Sequence, residues 1–98
     1  MMIWKISQSV NNNYDTYDSA AVIAASPEAA RLMHPSSPSI VWREVDGEFA
    51  WAAQKVDGAW INYRDESWAR PDEVQVELIG VATGGAEPGV VCASFNAG

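Results

Sequence analysis

Two Asp-Gly pairs, Asp46-Gly47 and Asp57-Gly58, interrupt the middle of the chain, each between strand-like runs. Asp-Gly in that setting is the strongest short-range hairpin signal, because both central residues of a type I′ turn need positive φ. Each pair follows a valine, Val45 or Val56, so the motif is a repeated turn and not a repeated unit of fold. The middle of the chain is therefore expected to be a β-meander. With both turns two residues long, Trp42 falls opposite Trp51, and Trp51 opposite Arg64. One face then carries Ile40, Trp42, Phe49, Trp51, Trp60, Asn62 and Arg64, and the other Val41, Val45, Ala50, Ala52, Val56, Ile61 and Tyr63. Both faces are apolar, which is unusual for a small antiparallel sheet. The aliphatic face is expected to line the core. The aromatic face needs a cover: the helix, a second layer, a partner, or a second copy of the chain in a homodimer.

The flanks supply further elements. Residues 2–9 alternate as a strand, with Met2, Trp4 and Ile6 on a wholly apolar face. A turn-rich polar loop follows and carries Tyr14 and Tyr17. Residues 19–25 read either way, since alanines favour helix while Val22, Ile23 and the short length favour a buried strand. Ser26-Pro27-Glu28 opens a short helix, with a serine cap, proline at the first helical position and glutamate at the positive dipole end. It is expected to run to about His34, where Pro35 stops it. Trp68 and Pro71 mark a bend, residues 74–81 a strand, residues 83–89 a glycine-rich loop and residues 90–95 a last strand. The expected fold is a single α+β domain over residues 1–98: a small, mainly antiparallel sheet of five or six strands with one short helix.

Charge excludes whole classes of function. The 98 residues carry 6 Lys and Arg against 13 Asp and Glu, a formal net charge of −7. Gripping nucleic acid through its phosphates needs a basic face, and so does docking on anionic lipid, so neither direct nucleic-acid nor membrane binding is expected. No apolar stretch reaches the roughly 20 residues of a membrane span and no signal peptide is evident, so a cytoplasmic setting is expected. The single cysteine, Cys92, cannot form an intrachain disulfide and sits in an apolar run, where a small buried thiol is expected. Asp15 and Asp18 lack the further oxygens and loop glycine of a calcium site, and the lone His34 gives no zinc set, so no metal or cofactor is expected. Residues 83–89 lack the Lys-Ser/Thr of a phosphate-cradling loop, and no nucleophile elbow is present. The chain is not expected to be an enzyme.

The two ends resemble a known group. Asn12-Asn13-Tyr14-Asp15-Thr16-Tyr17-Asp18-Ser19-Ala20, running on to His34-Pro35, is similar to the beginning of short phage, prophage and bacterial proteins that carry no assigned activity. Val76-Glu77-Leu78-Ile79-Gly80 and Gly89-Val90-Val91-Cys92-Ala93-Ser94-Phe95-Asn96-Ala97-Gly98 are similar to their end. The match covers about residues 3–35 and 74–98 and leaves out the Trp-rich hairpins. The resemblance implies a phage-type small reading frame.

Two constellations are candidates for function. Tyr14, Asp15, Tyr17 and Asp18 form a dense polar-aromatic loop able to bind a partner, or else an ordered loop held by Asx turns. Residues 71–98 carry four acidic residues, Asp72, Glu73, Glu77 and Glu87, and no basic one, while the two segments before them carry about −1 and −2. Such a third is attracted to a basic surface, such as the nucleic-acid groove of a host protein or nucleoprotein complex. The expected function is a small acidic binding protein that inhibits a host factor, an anti-defence, anti-CRISPR-like inhibitor acting by protein–protein contact. The alternative is a sequestering domain that stacks a nucleotide or other small ligand between Trp42, Trp51, Trp60 and Arg64. Arg64 beside Asp65 and Glu66 also fits a local ion pair.

Overall fold

The computed structural model describes residues 1–11, 14–64 and 66–96. Asn12 and Asn13 of the polar loop, the Asp65 side of the expected Arg64 pair, and the terminal Ala97 and Gly98 lie outside the described residues. The chain is α+β, with strands β1 (Met2–Ser7), β2 (Thr16–Ala24), β3 (Val41–Val45), β4 (Glu48–Gln54), β5 (Trp60–Asn62), β6 (Gln75–Val81) and β7 (Gly89–Asn96). One short helix, α1 (Pro27–Arg31), and a 3-10 turn, Pro71–Glu73, complete it. The strands form two antiparallel sheets, in the orders β6-β1-β2-β7 and β3-β4-β5. The ambiguous segment at residues 19–25 is strand, and it supplies the centre of the larger sheet. No described helix is long and apolar enough to cross a membrane.

Pairing explains why strand wins there. Ala24, Val22 and Ala20 of β2 stand opposite Met2, Trp4 and Ile6 of β1, so the apolar face read from β1 meets a small-residue face with room for an indole. The Trp4 Nε1–H donates to the Ala24 carbonyl at 3.0 Å. Ile6, Val22 and Ala24 are fully buried. α1 covers this face with Ala30, also fully buried, and its serine cap is as expected: Ser26 Oγ accepts from Ala29 N at 3.1 Å. The helix ends at Arg31, short of His34. The Arg31 guanidinium donates to the carbonyls of Pro71 and Val74, tying the helix to the 3-10 turn.

His34 therefore does not close a helix; it enters the core at 1% exposure. Its ring makes edge contacts with Trp51 at 5.1 Å and Tyr63 at 6.0 Å, and its Nδ1 accepts from Ser36 N at 3.1 Å.

The first hairpin has the expected type I′ turn, with Asp46 and Gly47 at φ 53° and 86°, and it sets Trp42 opposite Trp51. The second differs by one residue. Lys55 N donates to Ala59 O and Gly58 N to Lys55 O, which closes a three-residue loop with Gly58 left-handed at φ 91°. Tyr63, and not Arg64, lies against Trp51, where its N–H donates to the Trp51 carbonyl at 2.9 Å. A one-residue slip exchanges the faces of a strand. Tyr63 thus joins the Trp42–Trp51 face, while Trp60 moves to the opposite face, where Arg43 covers its ring at 4.5 Å.

The layering is correspondingly inverted from expectation. The Trp51 face meets the core, together with Trp68, Ala69, Ile40 and Val74. Of the aliphatic face only Ala52 is fully buried; Val45 is half-buried and Val56 projects fully into solvent. Cys92 is exposed as well, because it lies opposite Ala21 on the uncovered face of the larger sheet. The loop also yields a test. Deleting the exposed Val56 leaves Asp57-Gly58 as a two-residue turn with Gln54 still opposite Trp60. The expected change in unfolding free energy by urea titration is below about 1 kcal/mol. A variant that no longer folds cooperatively would show that the loop, not the packing of Trp51 and Tyr63, sets the register.

Candidate binding groove

Gln8 organises the tyrosine loop. Its Oε1 accepts from Val10 N at 2.9 Å and Asn11 N at 2.8 Å, while its Nε2 donates to Asn11 O at 2.6 Å and Tyr17 O at 2.8 Å. Both hydrogens and both lone pairs of the amide are used. The loop is also stitched to the segment after β5: Tyr17 N donates to Ser67 O at 2.8 Å and Asn11 Nδ2 to Trp68 O at 2.6 Å. These bonds bring residues 14–17 beside residues 63–64 and 66–68, although about 50 positions separate them in sequence.

Between these two segments opens a cleft of about 920 Å³. Tyr14, Tyr17, Tyr63 and Phe95 supply its aromatic walls, and Asp15, Arg64 and Glu66 its charge. Tyr17 packs on Phe95 with ring centres 4.8 Å apart. Arg64 and Glu66 also border a second depression of about 390 Å³ that reaches Trp42, Phe49 and Arg70. Those three in turn border a third, of about 340 Å³, ending at Asp72. The three depressions share lining residues and form one groove.

Its floor is rigid. Trp42 contacts Trp51 edge-on at 5.4 Å, and Trp51, 5% exposed, donates its Nε1–H to the Ala69 carbonyl at 2.9 Å. Phe49 stacks beside Trp42 at 6.3 Å and stays 58% exposed, a large apolar surface rimmed by Glu66, Asp72, Arg64 and Arg70. Asp15 and Arg64 hold left-handed backbone without being glycine, at φ 61° and 53°, and both line the groove. Such a conformation costs about 1–3 kcal/mol and clusters at functional sites. Arg64 is partly supported there, since its N–H donates to Asn62 Oδ1 at 2.7 Å.

The groove gathers residues from both constellations read in the sequence: Tyr14, Asp15 and Tyr17 at one end, Arg64 in the middle, Trp42 over Trp51, and Asp72 at the far end. It leaves others out. Asp18 is exposed and does not line it. Glu73 is engaged in the 3-10 turn, accepting from Arg70 N at 3.4 Å. Glu77 faces Lys5 across the β1–β6 pair, and Glu87 lies in the exposed loop before β7. Trp60 sits on the opposite face of its hairpin, so Trp42, Trp51, Trp60 and Arg64 do not form one stacking cage. Tyr63, Glu66, Arg70 and Phe95 join the site without having been singled out. Only Tyr63 had a readable signal, the alternative loop length that places it beside Trp51. Among the described residues no group of three His, Cys, Asp or Glu is placed to hold a metal ion.

Chemically the groove offers planar rings, the carboxylates of Asp15, Glu66 and Asp72, and the guanidinium groups of Arg64 and Arg70 along an extended track. Aromatic rings lie along its centre and charged side chains of both signs along its rim. No protein-family model, no curated protein and no solved structure matches the chain.

Proposed function

We propose that this is a non-enzymatic binding protein that docks through its groove onto a basic surface of a larger protein or nucleoprotein complex and keeps nucleic acid from it. The observation that carries the reading is the groove itself, where the Phe49–Trp42 stack and Tyr14 lie among three carboxylates, Asp15, Glu66 and Asp72, and two guanidinium groups, Arg64 and Arg70, so the acidic groups are in excess. The net charge of −7 supports attraction to such a surface, and the phage-type end motifs favour a host factor in the cytoplasm as its owner. In that setting the protein is an anti-defence inhibitor, and a CRISPR effector is the kind of complex it would block.

The test pairs the purified chain with host nucleic-acid-processing complexes, CRISPR effectors among them, and measures binding and DNA capture at low and high salt. The expected result is a complex whose DNA binding is lost on addition of the chain, by an interaction that weakens with salt. Neutralising Asp15, Glu66 and Asp72 together should weaken it by about tenfold or more, while reversing Glu77 and Glu87, outside the groove, should change it little. Equal effects from the two sets would reduce the role of the groove to overall charge. A complex that binds without losing DNA would overturn the occlusion reading.

A further inference from the structure

The far end of the groove already holds a guanidinium. Arg70 places its Cζ over the ring of Trp42, 5.6 Å from the centroid, and its Nε lies 3.6 Å from Asp72 Oδ1. The backbone beneath it is fastened twice: Arg70 N donates to Glu73 Oε1, and the Arg31 guanidinium holds the Pro71 and Val74 carbonyls from the helix side. The Arg70 side chain itself is 65% exposed, and an exposed pair of this kind is weak. Fixed backbone, fixed indole floor and a loosely held cation are thus found together in one depression of about 340 Å³.

We infer that this end of the groove is a guanidinium subsite, which takes an arginine side chain of the partner and which Arg70 occupies in the free protein. The inference rests on the partner-binding reading above and names the side chain that the groove recognises. Its chemistry favours arginine over lysine. A planar guanidinium stacks on the indole face and presents a donor edge to the Asp72 carboxylate, whereas an ammonium offers a point charge and no plane. Phe49, stacked beside Trp42 and exposed, extends the apolar floor for the stem of the incoming side chain. Binding exchanges one guanidinium for another, so Arg70 lowers the affinity of the site and rejects cations that cannot stack.

The probes are tri-arginine and tri-lysine peptides, titrated into the full chain while the indole N–H signals of Trp42 and Trp60 are followed by NMR. Tri-arginine is expected to move the Trp42 signal and not that of Trp60, with tri-lysine binding more weakly. Arg70→Ala should raise tri-arginine affinity by about three- to fivefold, the size of an exposed cation–π contact. Arg70→Met, which keeps the aliphatic stem, should act in the same direction. Arg43→Ala removes the same charge from the face of Trp60 and should not raise the affinity to the same degree. The subsite is overturned if Arg70→Ala leaves the affinity unchanged or lowers it, if Arg43→Ala raises it equally, or if tri-lysine binds as tightly as tri-arginine. Any of these in a chain that still blocks a host complex removes the arginine subsite and leaves the partner-binding reading in place. Failure to block any complex removes that reading, whatever the peptides do.

Discussion

Trp68→Ala should lower the unfolding free energy by about 3–5 kcal/mol, most of what a chain of this length has to spend. Trp68 is 2% exposed and is the largest fully buried side chain, in a core otherwise built from alanines, valines, isoleucines and Trp51. The small side chains cannot expand to fill the volume of an indole, and Trp51 is held by its bond to Ala69, so the cavity persists and its full cost is felt. The gentler substitution is more informative. Among the described residues the buried Trp68 Nε1–H finds no acceptor, whereas that of Trp51 donates to the Ala69 carbonyl. Replacing Trp68 by phenylalanine removes an unsatisfied donor together with some volume, while the same change at Trp51 strands a carbonyl. Trp68→Phe should therefore cost about 1–2 kcal/mol less than Trp51→Phe in parallel urea titrations. Equal costs would mean that the Trp68 indole hydrogen is satisfied in solution, by water.

The second large effect falls on recognition. Trp42→Ala is expected to weaken binding to the host complex by about thirtyfold or more, the range of a central aromatic anchor. The same variant should keep its cooperative unfolding, because Trp42 is half-exposed and the neighbouring Trp51 is anchored independently through Ala69 and His34. Trp60→Ala supplies the contrast. Trp60 is also half-buried and also lies under an arginine, but on the other face of the hairpin, and its loss should leave binding within about twofold. Binding measured for the two variants side by side, with unfolding curves as the control, decides whether the groove is the docking face. If Trp60→Ala does the greater damage, the docking face is the opposite one.

The elements that could be read from the sequence are those whose causes are local. Ser26 caps the helix, Pro27 next to it starts it and the capping bond reaches only to Ala29, while Asp46-Gly47 forms its turn from its own two residues. Asp57-Gly58 carries the same dipeptide but sits in a three-residue loop, and dipeptide chemistry does not separate the two cases because Gly58 is left-handed in both. What separates them is tertiary: Tyr63 gains Trp51 and His34 as neighbours, and Arg64 is released to the groove. Trp68 gave no signal because it lies in a bend with no periodicity, so nothing in its neighbourhood marks it as the largest fully buried side chain. Cys92 misled for a related reason. An apolar strand is buried only where its sheet is covered, and the outer face of β7 is open. The groove was legible only in pieces, because its residues come from the loop before β2, the β3–β4 hairpin, the stretch after β5 and the end of β7.

The Gln8 amide has a consequence for how the protein moves. Four hydrogen bonds from one side chain join Val10 and Asn11 to Tyr17, so these bonds are not lost one at a time. Loss of one bond misdirects the amide for the other three, so Val10, Asn11 and Tyr17 lose the Gln8 amide together. The tyrosine wall of the groove is thus fastened at two places, by the Gln8 amide and by the bonds to Ser67 and Trp68, and the opposite wall, built on Trp51, is part of the frame.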